Sequence, residues 1–242
     1  MKRPDKAPEN PEARDRPSTG KQPFRDQEIL WGEVLSLAAY VETAFKTAVK
    51  ALCAGRLDLV EQVRADEREI DRWEVRIETE CLRALTLYGL VASDLRRVVA
   101  ALRINRDLEG LSDLAENLAK RARKLGREPA AALFLPRLEQ LAVEAIRVVD
   151  GSLTALRTLD ADIARGIILT ENGVEPHRSA ILADLKAAVR AEPELVNTWL
   201  RLISSARNLE RAADHATDIA SSVVYVKEGV LLRRGDGDGR GD

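Results

Sequence analysis

Two stretches of this chain carry oxygen-bearing side chains at the spacing that lines one face of a helix. The first reads Leu108-Glu109-Gly110-Leu111-Ser112-Asp113-Leu114-Ala115-Glu116-Asn117-Leu118-Ala119. The second reads Leu209-Glu210-Arg211-Ala212-Ala213-Asp214-His215-Ala216-Thr217-Asp218-Ile219-Ala220. Glu109, Asp113 and Asn117, and then Glu210, Asp214 and Asp218, fall at i, i+4 and i+8, a step that stacks them along a helix. Like charges four apart repel by about 0.2–0.5 kcal/mol per pair, so a face built this way twice needs a counter-ion or a reason in the fold. Carboxylates on rigid helices suit hard divalent or trivalent cations. A second acidic pair precedes each motif, Glu67 with Asp71 and Glu171 with Glu175. If the helices carrying them are antiparallel neighbours, Glu67 and Asp71 come opposite Glu109, Asp113 and Asn117. Glu171 and Glu175 then come opposite Glu210, Asp214 and Asp218. The competing reading is two solvated faces. In it, Arg103, Arg106, Arg207 and Arg211 supply the neutralising charge, and Arg64, Arg68, Arg72 and Arg76 form links along the helix of Glu67. His215 stands open between a ligand, a group that orients one, and a surface or packing side chain. The Glu-x-x-His element of di-metal carboxylate bundles is missing.

The elements that must hold these groups are helices. The chain has 242 residues, of which 45% are hydrophobic, 32% charged and only 4% aromatic, the mix of long amphipathic helices. Apolar residues step by three and four from Ile29 to Leu52. Gly55, Gly89, Gly126 and Pro129 punctuate the first half. The spacing predicts six helices: Asp26–Ala54, Asp58–Tyr88 with Asp58 as N-cap, Ser93–Leu125, Pro136–Leu159, Asp160–Ala191 and Pro193–Lys227. Pro176 and Asn172-Gly173 fall inside the fifth, which must bend or break there. Short connections make neighbours antiparallel. Leu57-Asp58 matches Leu159-Asp160 at nearly the offset that separates the acidic motifs, so the whole unit is duplicated. The expectation is an all-α fold of two tandem three-helix bundles, residues 26–128 and 129–232. A disordered Pro-rich extension (1–25) and a flexible tail (233–242) flank them.

Composition excludes several classes. No apolar run reaches the roughly 18 residues of a membrane span, and the polar N-terminus is no secretory signal. Cys53 and Cys81 each sit in a helical pattern, so the expectation is no disulfide framework and a reduced cytoplasm. A net charge of -2 gives no positive field for nucleic acid. There is no Gly-rich phosphate loop, nucleophile elbow or His-Glu-x-x-His helix, which argues against an enzyme.

The residues resemble the PhoU family of phosphate-transport regulators. Ala92-Ser93-Asp94-Leu95-Arg96 and Leu108-Glu109 with Asp113 are similar to its first half. Asn208-Leu209-Glu210-Arg211-Ala212-Ala213-Asp214-His215-Ala216-Thr217-Asp218-Ile219-Ala220, with Val224-Tyr225 and Gly229, is similar to its second. The resemblance covers about residues 28 to 232. It implies two tandem three-helix bundles and metal sites, mononuclear or multinuclear, for Fe, Zn or Mn. The implied ligands are Glu109 and Asp113 with Glu67 and Asp71, and Glu210 and Asp214 with Glu171 and Asp218. It further implies a cytoplasmic homodimer that restrains phosphate signalling between a phosphate ABC transporter ATPase and a sensor histidine kinase. Gly110 departs from the family, which usually carries Arg there. The alternatives are a carboxylate-bundle metalloenzyme or metal store, and an adaptor that binds no metal.

Overall fold

The computed structural model describes residues 22–170 and 173–232. Glu171, one of the expected ligands, lies outside the described residues. So do residues 1–21 of the expected extension and the tail from 233; residues 22–25, expected in the extension, are instead the first turn of a helix.

Seven α-helices are described: α1 (Gln22–Cys53), α2 (Val60–Leu87), α3 (Ala92–Leu125), α4 (Leu135–Thr158), α5 (Ala161–Thr170), α6 (Val174–Ala191) and α7 (Val196–Glu228). The fifth expected helix is thus two, α5 and α6. Pro176 does not kink a continuous rod. It stands in the first turn of α6, where backbone N–H groups lack helical partners in any case and the missing donor is no loss. A second expectation also changes. Asp58 does not cap α2: it sits in a 3-10 turn, Leu57–Leu59, and its carboxylate pairs with Arg56 at 2.6 Å. Asp160 does cap, with Oδ1 accepting the N–H groups of Asp162 at 2.9 Å and Ile163 at 3.0 Å. Gly55 (φ +64°) and Gly229 (φ +75°) take the left-handed turn that ends α1 and α7.

Helices α1, α2 and α3 pack on one another as one bundle, and α4 to α7 as the other. α3 packs on α7 and α1 on α4, which joins the bundles. The core runs unbroken through both, with Phe45, Ile70, Ile104, Leu108 and Leu118 in the first and Leu138, Leu153, Leu202 and Leu209 in the second. Each such side chain contributes roughly 1.5–3 kcal/mol on burial. Small residues bring the central helices close: Ala115 and Ala119 on α3, and Ala212, Ala216 and Ala220 on α7, are fully buried. A charged cluster spans α1 and α4. Lys46 lies 2.8 Å from both Glu42 and Asp150, and Arg157 lies 2.8 Å from Glu42. Burial pushes the Glu42 carboxyl up, but hydrogen bonds from Lys46 and Arg157 outweigh it and hold its pKa below the ordinary value.

Candidate functional site

The first acidic face is built by α2 and α3. Its register is pinned by buried Asn105, whose Nδ2 donates to the backbone carbonyl of Glu74 at 3.0 Å. One turn further on, Glu109 faces the acids of α2. Burial raises the pKa of Glu109, the charges of Asp113, Glu74 and Asp71 raise it further, and His215 opposes them. Glu74 is raised by burial and then by Glu78, Asp71 and Asp113. Glu67 is raised by burial, Glu116 and Asp71, with Lys120 opposing. The four expected ligands Glu67, Asp71, Glu109 and Asp113 are therefore brought onto one face, each within electrostatic reach of others in the set.

Three neighbours were missed in the sequence. Glu74 and Glu78 extend the α2 row, and Glu116 rather than Asn117 is the α3 neighbour whose charge raises Glu67. The helical step would have found them: Glu74 is i+7 from Glu67 and Glu116 is i+7 from Glu109. Asn117 instead offers its carbonyl to Arg121 Nη1 at 3.2 Å.

Links along α2 form as the competing reading has them, Arg64 with Glu61 and Arg72 with Glu69, while Arg76 reaches Glu33 of α1. Among the described residues none of these three arginines pairs with Glu67, Asp71, Glu109 or Asp113. Arg103 lies 5.3 Å over the Tyr225 ring. Lys120, paired with Glu116, is the cation that reaches the edge of the set.

The second face is different. Glu175 of α6 comes beside Glu210 and Asp214 of α7, as the spacing predicts, but the Arg178 guanidinium lies among them. It is 2.6 Å from Glu175 and 2.9 Å from Glu210. Arg178 holds Glu175 below the ordinary carboxylate range. Burial keeps Glu210 raised, with Arg178 opposing and the charges of Asp214 and Glu175 adding to it. Asp218 sits apart from this group, in a cleft with Arg103, Arg106 and His215.

His215 stands between the bundles. Its Nδ1 is 3.1 Å from Asp107 Oδ1 across the α3–α7 contact, and its ring packs on Gly110, where a Cβ would meet it at 2.6 Å. Gly110 thus does more than thin the charge of α3; it makes room for the imidazole. Both cysteines are inert, free thiols that burial pushes up to about 12.

The donor set of the first face fits a hard cation: hydrogen-bond acceptors without an arginine, whose mutual repulsion a cation would relieve. Among the described residues no three His, Cys, Asp or Glu side chains converge tightly enough to hold a metal as they stand. Binding there therefore requires carboxylates to change rotamer, which is open to exposed Asp71 and Asp113 and to half-buried Glu67 and Glu109 at the protein surface. In the second face Arg178 already supplies the positive charge.

The PhoU domain model matches residues 34–122 and 138–223, once in each bundle. The phosphate-specific transport system accessory protein PhoU homologue of Synechocystis sp. is 34% identical over 197 residues, 81% of this chain and 87% of that protein. The one from Pseudomonas aeruginosa is 30% identical over 200 residues, 83% of each chain. The crystal structure of PhoU from Pseudomonas aeruginosa superposes with a TM-score of 0.80 at 29% identity, covering 86% of this chain and 100% of the other. That of the phosphate transport system regulatory protein PhoU from Streptococcus pneumoniae has the same fold, with a TM-score of 0.78 at 23% identity, covering 88% and 100%. With the domain matched once in each bundle, the chain belongs to the PhoU family.

Proposed function

We propose that this protein is a non-enzymatic regulator of phosphate uptake and phosphate-starvation signalling. It works in the cytoplasm as a homodimeric adaptor between a phosphate ABC transporter ATPase and a sensor histidine kinase. One observation carries the reading: both bundles match the PhoU domain, and the α2–α3 face carries carboxylates with raised pKa and no arginine among them. The relatives named as accessory proteins of phosphate transport support it. So does a set of exposed apolar side chains flanking the α2–α3 connection, Leu82, Leu85, Leu87, Val91 and Leu95, a surface suited to protein contact. No described helix is long and apolar enough to cross a membrane.

A divalent or trivalent cation (Fe, Zn or Mn) bound by Glu67, Asp71, Glu109 and Asp113 would tie α2 to α3 by neutralising their repulsion. Glu74 and Glu116 lie close enough to join. Binding free energy of this kind biases a helical bundle between packing states. Co-purification from phosphate-replete cells tests the adaptor role: recovery of a transporter ATPase or a histidine kinase is expected, and recovery of neither overturns it. Elemental analysis of protein purified without chelator tests the metal. Bound metal is expected in the native chain and a loss in Asp71→Asn/Asp113→Asn.

A further inference from the structure

A cleft of about 450 Å³ opens where α3 packs on α7, apart from the acidic face. Arg103 and Arg106 form its α3 wall with Asp107; His215, Asp218, Ser221 and Ser222 form its α7 wall. Past Gly229 the chain turns back, and Leu231 and Leu232 close one side. The volume lies in the ~300–1,000 Å³ range of small-molecule sites.

Its polar groups are mostly donors. Among the described residues no carboxylate forms an ion pair with Arg103 or Arg106. The stack on Tyr225 positions the Arg103 guanidinium at the wall. Ser222 is 5% exposed and borders the cleft. Ser221 donates to the Thr217 carbonyl at 3.0 Å, and the Asp107 carboxylate is engaged by His215. Guanidinium groups are built to bind oxyanions, and a serine hydroxyl lining the same cleft can donate one more hydrogen bond to such a ligand.

We propose that this cleft binds a small oxyanion of the phosphate type, held by Arg103, Arg106 and the Ser222 hydroxyl. Leu231 and Leu232 leave an apolar margin for an organic body, and the carboxylates of Asp107 and Asp218 on the same walls keep the affinity modest. The site uses none of the acidic ligands of α2 and α3, so it stands or falls independently of metal binding.

Calorimetric titration of the full chain, freed of metal and at low ionic strength, tests it with inorganic phosphate and with AMP. At least one probe is expected to bind at millimolar concentration or better, and Arg103→Gln/Arg106→Gln to weaken it about tenfold, a loss of roughly 1.4 kcal/mol. Ser222→Ala, which removes one hydroxyl and leaves the fold intact, is expected to weaken it a few-fold. Binding of phosphate assigns the free anion; binding of AMP alone assigns a phosphate ester. Binding of neither probe, or binding unchanged in both variants, overturns the proposal.

Discussion

The imidazole of His215 on α7 rests on the bare backbone of Gly110 on α3, where a Cβ would lie 2.6 Å from both Cε1 and Nε2. The two bundles meet here through one residue with no side chain and one with a polar ring, and the same ring reaches Asp107. Gly110→Ala gains about 1 kcal/mol of helix propensity but overpacks the contact at roughly 1–3 kcal/mol. The expected outcome is a net destabilisation of about 1 kcal/mol. In a His215→Ala background the clash is gone, and the same change stabilises by up to about 1 kcal/mol. A double-mutant cycle by chemical denaturation reads the difference; an equal effect in both backgrounds contradicts the contact.

The acidic face sets a pH dependence. Glu67, Glu74 and Glu109 have folded-state pKa values above their ordinary 4.5, chiefly through burial. Between 4.5 and those raised values the native chain binds more protons than the unfolded chain. Its stability therefore falls as pH rises through that window. Glu42, held below its ordinary value, works the other way, and its contribution is lost only as pH falls below 4.5. In chelator, urea midpoints followed as pH rises from the ordinary carboxylate value through the raised ones should show the decline. Glu109→Gln should flatten it, with a gain of about 0.5 kcal/mol at neutral pH. A slope unchanged by this substitution removes Glu109 from the set.

Arg178 distinguishes the second bundle. Its guanidinium joins Glu175 to Glu210 with Asp214 nearby. Arg178→Gln leaves these carboxylates repelling one another and is expected to destabilise the metal-free protein by about 0.5–1 kcal/mol, given the partial exposure of the pairs. It should also raise the stoichiometry of divalent cation in a calorimetric titration. If the stoichiometry stays the same, the residues around Arg178 do not form a latent cation site.

The α2–α3 connection offers Leu87 and Val91 to solvent, at 61% and 67% exposure. Neither supports the core, so Leu87→Glu/Val91→Glu is expected to leave the melting temperature within a few degrees of the native value. If this surface carries the adaptor role, the double variant loses the partner recovered by co-purification. Retention of the partner moves the contact elsewhere.

Much of the fold was legible because helices announce themselves locally. Apolar residues at three- and four-residue steps mark the faces of α1 and α3, and the duplicated acidic motif marks the repeat. Helix ends were less legible. Arg56 and Asp58 compete as local partners, so the residue that reads as a cap is spent on a salt link, whereas Asp160 has no such neighbour and caps. Pro176 reads as an interruption when the segment is taken as one helix and as a tolerated first-turn residue once α6 starts at Val174.

The acidic rows, their periodicity and their duplication were set by the sequence itself, because side chains four apart on a helix share a face whatever the helix packs against. Which charges meet was decided only by tertiary structure. The register fixed through Asn105 puts Glu116, not Asn117, against Glu67, and the seating of α6 drops Arg178 among the acids of one bundle, while among the described residues the other set is reached only at its edge, by Lys120. Gly110 shows the same division: alone it is a weak point in a helix, and only the approach of α7 turns it into a seat for His215. Periodicity is a property of one helix, but neutralisation and close packing belong to pairs, whose offsets depend on every side chain buried between them.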